Sequence, residues 1–187
     1  MKSILSWFVL IVSIAVIVSS CSEKEESTTA TAIPITSSDD SSDNSTSTSD
    51  NSSSSLGVFV VVGDSGSIVR STDNGSNWDN ATSPTENNLQ SVTFGNNTFV
   101  AVGLSGNIVR STDNGSSFDN ATSPTLKYLY GVTFGNNPFV GVGASGNIVR
   151  STDNGSSFDN ATSQTGKLLY EVEFGNNTFV AVGTAGS

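Results

Sequence analysis

The sequence predicts an all-β fold, a β-propeller-type stack of 40-residue, four-stranded blades with about three blades present, and three observations predict it. From Val58 onward the chain repeats with a period of 40, so that Phe59, Phe99, Phe139 and Phe179 align, as do Gly63, Gly103, Gly143 and Gly183. Arg70, Arg110 and Arg150 keep the same phase. Each period holds short β-type runs separated by turn residues. One of these runs, Phe99-Val100-Ala101-Val102 in the second copy, is apolar on both faces, as a strand sandwiched between neighbouring units must be. A period of this length built from short strands is the signature of a propeller blade or a similar stacked unit.

The repeats occupy residues 57–187, and what precedes them is of another kind. Residues 4–18 form an apolar run behind a single positive charge, Lys2. The run falls short of the roughly 20 residues that a membrane span needs and suits the core of a secretory leader. It ends in Val18-Ser19-Ser20-Cys21, which resembles the lipobox of bacterial lipoproteins. That resemblance implies cleavage of a signal peptide, residues 1–20, and lipidation of Cys21. Two or more acyl chains hold a protein on a membrane stably, so the membrane is an expected partner through Cys21. Cys21 is the only cysteine, which leaves no thiol for a disulfide, a metal or a nucleophile.

Residues 21–56 hold the lipidated Cys and a run of Ser, Thr, Asp, Glu and Asn with too few apolar side chains to offset the entropy of ordering. A disordered tether is expected, spanning roughly 30–35 Å root mean square by flexible-chain scaling. Ser22 after the Cys fits sorting to the outer membrane. Lys24-Glu25-Glu26 resembles a surface-export signal of some bacterial lipoproteins, and equally serves as solubilising charge. The expected location is the bacterial cell envelope, on the outer membrane, facing either the periplasm or the surface.

Composition removes several classes of function. The chain has no histidine, so histidine acid–base chemistry, Ser-His-Asp triads and the common zinc sites are excluded. Acidic residues outnumber basic ones 17 to 7, a net charge of −10. With no basic stripe to follow a phosphate backbone, no nucleic-acid partner is expected. No cofactor and no catalytic residue is expected either.

Within a period the strands read in order. Strand one runs over residues 89–94, with Val92 and Phe94 alternating, and ends at Gly95-Asn96-Asn97. Strand two covers 99–102, a turn follows at 103–106, strand three covers 108–112 and strand four 117–121. Between strands three and four lies Ser71-Thr72-Asp73-Asn74-Gly75-Ser76-Asn77-Trp78, which returns from Ser111 to Phe118 and from Ser151 to Phe158. Asn-Gly supplies the pair of positive φ angles that a two-residue I′ hairpin requires, and the short Asp carboxylate can accept bonds from the turn's own amides.

This segment resembles the Asp box, Ser-x-Asp-x-Gly-x-x-Trp, of BNR-like repeats. The matching residues are Ser71, Asp73, Gly75 and Trp78; Ser111, Asp113, Gly115 and Phe118; and Ser151, Asp153, Gly155 and Phe158. The resemblance implies a structural role, with the aromatic packed back on the blade. Calcium is the sharper alternative, because Asp73, Asn74, Asn77 and Asp79 offer oxygens. The loop lacks the Asp-x-Asp-x-Asp-Gly spacing and the bidentate Glu of a calcium loop, so no metal is expected. Over residues 58–187 the chain resembles Asp-box propellers, those of sialidases and, more closely, those of the photosystem II assembly-factor type. The likeness to the second rests on Val92-Thr93-Phe94, Phe99-Val100-Ala101-Val102-Gly103 and Gly106-Asn107-Ile108.

Two function classes follow. The first is a membrane-tethered, non-catalytic binding or assembly module; the alternative is a fragment of a sialidase-like glycosidase. Sialidases hold the substrate carboxylate with three arginines, and this chain has three. They recur at one position of the blade, and a hairpin centred on Asn-Gly puts Arg70 opposite Asp79, Arg110 opposite Asp119 and Arg150 opposite Asp159. Cross-strand ion pairs are expected there, worth roughly 0.2–1 kcal/mol each. The Phe-Arg-Ile-Pro motif of sialidases is absent.

Comparison of the repeats with one another locates a candidate binding surface. Residues 101–125 and 141–165 differ only at 101/141, 104/144 and 124/164. The connections leading into strand one differ far more, reading Glu86-Asn87-Asn88-Leu89-Gln90, Leu126-Lys127-Tyr128-Leu129-Tyr130 and Gly166-Lys167-Leu168-Leu169-Tyr170. The turn after strand two also varies, with Asp64, Leu104, Ala144 and Thr184 in one position. In a propeller both connections lie on one rim, opposite the Asp-box hairpins. Glu86, Asn88, Gln90, Leu104, Lys127, Tyr128, Tyr130, Lys167 and Tyr170 are therefore the candidate rim, suited to a protein or glycan ligand because Tyr joins a large contact area to a polar tip. The alternative is neutral drift in solvated loops. The Asn80-Ala81-Thr82 sequon and its copies read as incidental. Strand counting gives a first blade without its first strand, two whole blades and the start of a fourth. The expectation is a piece of a longer protein or, if the chain is whole, a ring completed by oligomerisation or an open stack.

Overall fold

The computed structural model describes residues 57–184. The expected leader, the lipidation site Cys21, the tether and the last three residues lie outside the described residues.

Thirteen strands build four antiparallel sheets in chain order. The first sheet holds β1 (Phe59–Val62), β2 (Ile68–Ser71) and β3 (Asp79–Asn80). The second holds β4 (Leu89–Gly95), β5 (Thr98–Gly103), β6 (Ile108–Ser111) and β7 (Asp119–Asn120). The third repeats it with β8 (Leu129–Phe134), β9 (Phe139–Gly143), β10 (Ile148–Ser151) and β11 (Asp159–Ala161), and the last holds β12 (Leu169–Gly175) and β13 (Thr178–Gly183). Each sheet is a meander in which every strand pairs with its neighbour in sequence, the simplest solution for short strands joined by tight turns. Among the described residues the first sheet has no strand equivalent to β4 and the last has two strands, as strand counting predicts.

The core lies between the sheets. Side chains of successive strands point to opposite faces, so each strand of the β5 type serves two interfaces. Phe99 and Ala101 pack toward the first sheet with Val60 and Val62, while Val100 and Val102 pack toward the third with Phe139 and Leu129. Val140 and Val142 continue the pattern against Phe179 and Ala181. Val180 and Val182, on the outer face of the last sheet, are 57% and 56% exposed, against 0% for Val100 and Val102. The sheets approach most closely through β4, β8 and β12, where Ser91 Oγ accepts the Val132 N–H at 3.3 Å.

Two details depart from the sequence reading. Strand four is expected over 117–121, yet β7 is only Asp119–Asn120. The preceding residues are taken by the neighbouring blade: Phe118 N–H donates to Thr82 O at 2.9 Å and Thr82 N–H to Ser116 O at 3.2 Å. The same parallel bridge joins Thr122 to Ser157. Strand one carries a bulge in every copy, between Leu89 and Ser91, Leu129 and Gly131, and Leu169 and Glu171.

Candidate binding rim and hairpin face

The hairpin face is built from a local rule applied three times. Asn74, Asn114 and Asn154 have φ near +60°, and Gly75, Gly115 and Gly155 follow at +75° to +85°, the pair expected of the turn. Ser111 Oγ–H donates to Asp113 Oδ1 at 2.7 Å while its oxygen accepts the Gly115 N–H at 3.0 Å. The other side of the carboxylate is filled by Ser117, whose N–H reaches Oδ1 at 3.0 Å and whose hydroxyl reaches Oδ2 at 2.6 Å. Asp153 repeats this with Ser151 and Ser157, and Asp73 with Ser71 and Asn77. These bonds hold Asp73, Asp113 and Asp153 down at about 2, with the bonds from residue 77, 117 or 157 the leading cause in each case. Both oxygens of each carboxylate are engaged within its own loop. Among the described residues no group of three or more acidic, Cys or His side chains could hold a metal ion.

The aromatic that closes each loop behaves in two ways. Phe118 and Phe158 are 2% and 3% exposed and join the interblade core. Trp78 is 42% exposed, its indole Nε1–H donated to Gly75 O at 3.0 Å. The expectation that every copy packs back is therefore corrected for Trp78. Phe118 is covered by the outer strands of the preceding sheet, and the first described sheet has none before it.

The arginines are also corrected. Their register is as read, with Arg70 opposite Asp79, Arg110 opposite Asp119 and Arg150 opposite Asp159. Among the described residues, however, no ion pair of 4 Å or less joins them, and Nε of Arg70 and of Arg110 is buried without a hydrogen-bond partner. Arg70 and Arg110 are half-buried on the face that the following sheet covers, whereas the aspartates stay in solvent. Arg150, which has only the two-stranded last sheet after it, is exposed. The three occupy successive sheets, one in each.

At the opposite ends of the strands, the two variable connections come together. Leu104 N–H donates to Asn88 O at 2.9 Å, Ala144 N–H to Tyr128 O at 2.8 Å and Thr184 N–H to Leu168 O at 2.9 Å. The incoming loop is shaped by threonine: Thr125 Oγ1 accepts the Lys127 N–H at 3.0 Å, and Thr165 Oγ1 the Lys167 N–H at 3.1 Å. In the first copy Asn88 is committed internally, its Oδ1 accepting the Ser65 N–H and its Nδ2 donating to Asp64 at 2.7 Å. Glu86, Gln90, Lys127 and Lys167 are exposed, and Leu104 is half-buried.

The bulge places Gln90, Tyr130 and Tyr170 at the extra position, where a side chain is re-aimed relative to its strand. The Tyr130 and Tyr170 rings lie 5.6 Å apart, tilted by 49°. Tyr128 and Tyr170 are 47% and 49% exposed. Burial pushes the Tyr130 phenol up, and Tyr170 and Tyr128 beside it add to the shift. The structure thus gathers the three tyrosines into one patch. One neighbour, Glu171, escapes the sequence reading, and Leu126 lies within the variable segment 126–130 but outside the candidate rim residues singled out there. Leu126 is 87% exposed at the edge of the patch, and its substitution for Glu86 between otherwise matching repeats was the available signal. Glu171 is half-buried, and burial raises its carboxyl, opposed by the Val172 N–H and reinforced by Glu173. Its place in a bulge hid it.

The four sheets, repeated without a helix between them, define a partial β-propeller. No family model matches the chain, and no curated protein matches it. Among solved structures it is similar to YCF48 bound to D1 peptide, with a TM-score of 0.55 and 21% identity over 67% of this chain and 43% of that one. It is also similar to YCF48 from Cyanidioschyzon merolae, with a TM-score of 0.54 and 20% identity over 67% of this chain and 46% of that one. The chain spans less than half the length of these structures, and the likeness establishes the propeller fold.

Proposed function

We propose that this chain is a non-catalytic binding module, tethered to the bacterial envelope through lipid on Cys21, that recognises a protein segment with the rim around Tyr128, Tyr130 and Tyr170. The observation that carries the reading is the exposed tyrosine patch, with Leu126 at its edge, on the one face where near-identical repeats diverge. Drift in solvated loops favours small polar residues; three aromatic rings and an exposed leucine at adjoining positions are the composition of a contact surface. A similar propeller is known with a peptide bound, which supports a peptide over a glycan. The Asp-box loops serve as hairpin locks in this reading, because their carboxylates are spent on their own turns.

The test replaces Tyr128, Tyr130 and Tyr170 with Ser in one variant, and Arg70, Arg110 and Arg150 with Gln in another. Capture from envelope extract is measured for both. Aromatic anchors of this kind carry about 2 kcal/mol or more each, so the tyrosine variant should lose its partner while the arginine variant keeps it. Retention by the tyrosine variant, with loss in the arginine variant, would sink the reading.

A further inference from the structure

The charge around the tyrosine patch identifies what kind of segment it takes. The described residues contain just two lysines, Lys127 and Lys167, in a chain of net charge −10. Both stand at the same repeat position, both are exposed, and both backbones are pinned by the preceding Thr hydroxyl, at 3.0 and 3.1 Å. The segments 126–130 and 166–170 that carry them contain no acidic residue. In the first copy this position is Asn87, with Glu86 beside it and Asp64 on the adjoining turn. The rim is therefore polarised, acidic where the tyrosines are missing and cationic where they cluster.

Overall negative charge does not cancel this. At physiological salt the Debye length is about 8 Å, so carboxylates on the hairpin face, at the far ends of the strands, are screened from the rim while the two lysines act at contact range. Glu171, which follows Tyr170, is half-buried with the Val172 N–H bonded to it, and the exposed Glu173 lies two residues further along β12, toward the hairpin face. An exposed ring beside an exposed ammonium accommodates an apolar side chain and a carboxylate next to each other in a partner. Resting on the rim reading above, we infer that the partner segment is an acidic peptide, with Asp or Glu facing Lys127 and Lys167 and an apolar side chain seated among Leu126, Tyr128 and Tyr170.

The test pans a random peptide library against the full chain in detergent, and in parallel against the Lys127→Glu/Lys167→Glu variant and the Tyr128→Ser/Tyr170→Ser variant. All four positions are exposed, so unchanged melting curves and circular dichroism are expected. Peptides selected by the wild type should be enriched in Asp and Glu, bind about tenfold or more weakly to the charge-reversed variant, and weaken as salt rises. Replacing the acidic residues of a selected peptide with Lys should restore its binding to the charge-reversed variant. Tyrosine-dependent peptides without acidic enrichment, or with equal affinity for the charge-reversed variant, overturn the acidic assignment and leave the rim standing. Peptides indifferent to the tyrosine change overturn both.

Discussion

Asp113 has both of its oxygens bonded within five residues of chain, and this decides what it can do. A carboxylate so engaged braces its hairpin and has little left for a ligand. Asp113→Ala should lower stability by about 1–2 kcal/mol, the usual cost of a lost local charged bond at an exposed site, and leave partner binding intact. Loss of binding with an unchanged melting curve would contradict the structural role. The pH dependence follows from the sign of the shift. Asp73, Asp113 and Asp153 sit at about 2 in the folded chain, below the roughly 3.9 of an unfolded Asp. Their contribution is present above the unfolded value and is lost as pH falls through about 2. Melting temperature should drop between about pH 4 and pH 2, and a triple Asp→Asn variant should show a shallower drop. Glu171 runs the other way. Its carboxyl is raised by burial, so the wild type loses stability as pH rises through and beyond the ordinary carboxylate range. Glu171→Gln removes the buried charge and should melt higher than the wild type at neutral pH and equally at low pH. A variant that melts lower at neutral pH would show that the charge is needed.

At the scale of the element, a blade is legible in sequence wherever its cause is local. The period gives the sheets, Asn-Gly gives the hairpins, and the doubly apolar run gives β5 and β9. Strand four is shorter than its local pattern predicts because Ser116 and Phe118 are bonded to Thr82 of the preceding blade, 34 and 36 residues away, and such bonds leave no local pattern. The bulge leaves only a faint trace in the sequence. Leu129 and Val132 are both buried, three residues apart, which a strict two-residue alternation does not allow. That extra residue is Tyr130, so the bulge also decides how the rim tyrosines are aimed. Packing between blades offers a matched test. A Cβ on Gly135 would lie 2.1 Å from the Phe174 ring, whereas one on Gly175, at the equivalent position, meets nothing within 4 Å. Gly135→Ala should cost about 1–3 kcal/mol by overpacking, and Gly175→Ala should change stability by no more than about 0.5 kcal/mol. Thermal melting of the two variants checks the stacking directly, and equal costs would contradict it.

For the whole molecule, the two ends of the strands divide the labour. One end carries the near-invariant hairpins and their saturated carboxylates. The other carries the variable connections, three tyrosines and both described lysines. The proposed anchor adds a further expectation: mass spectrometry of the mature N-terminus should show an acylated Cys21, and an intact Met1 terminus would refute it. The division of faces is tested most directly by a photo-crosslinker placed at Leu126 on the rim and, separately, at Ser116 on the hairpin face, in cells carrying the full chain. Both positions are exposed, so neither substitution should disturb folding. The account predicts an adduct from position 126 to a distinct envelope protein, lost when Tyr128 and Tyr170 are changed to Ser, and none from position 116. An adduct from position 116 alone would contradict it.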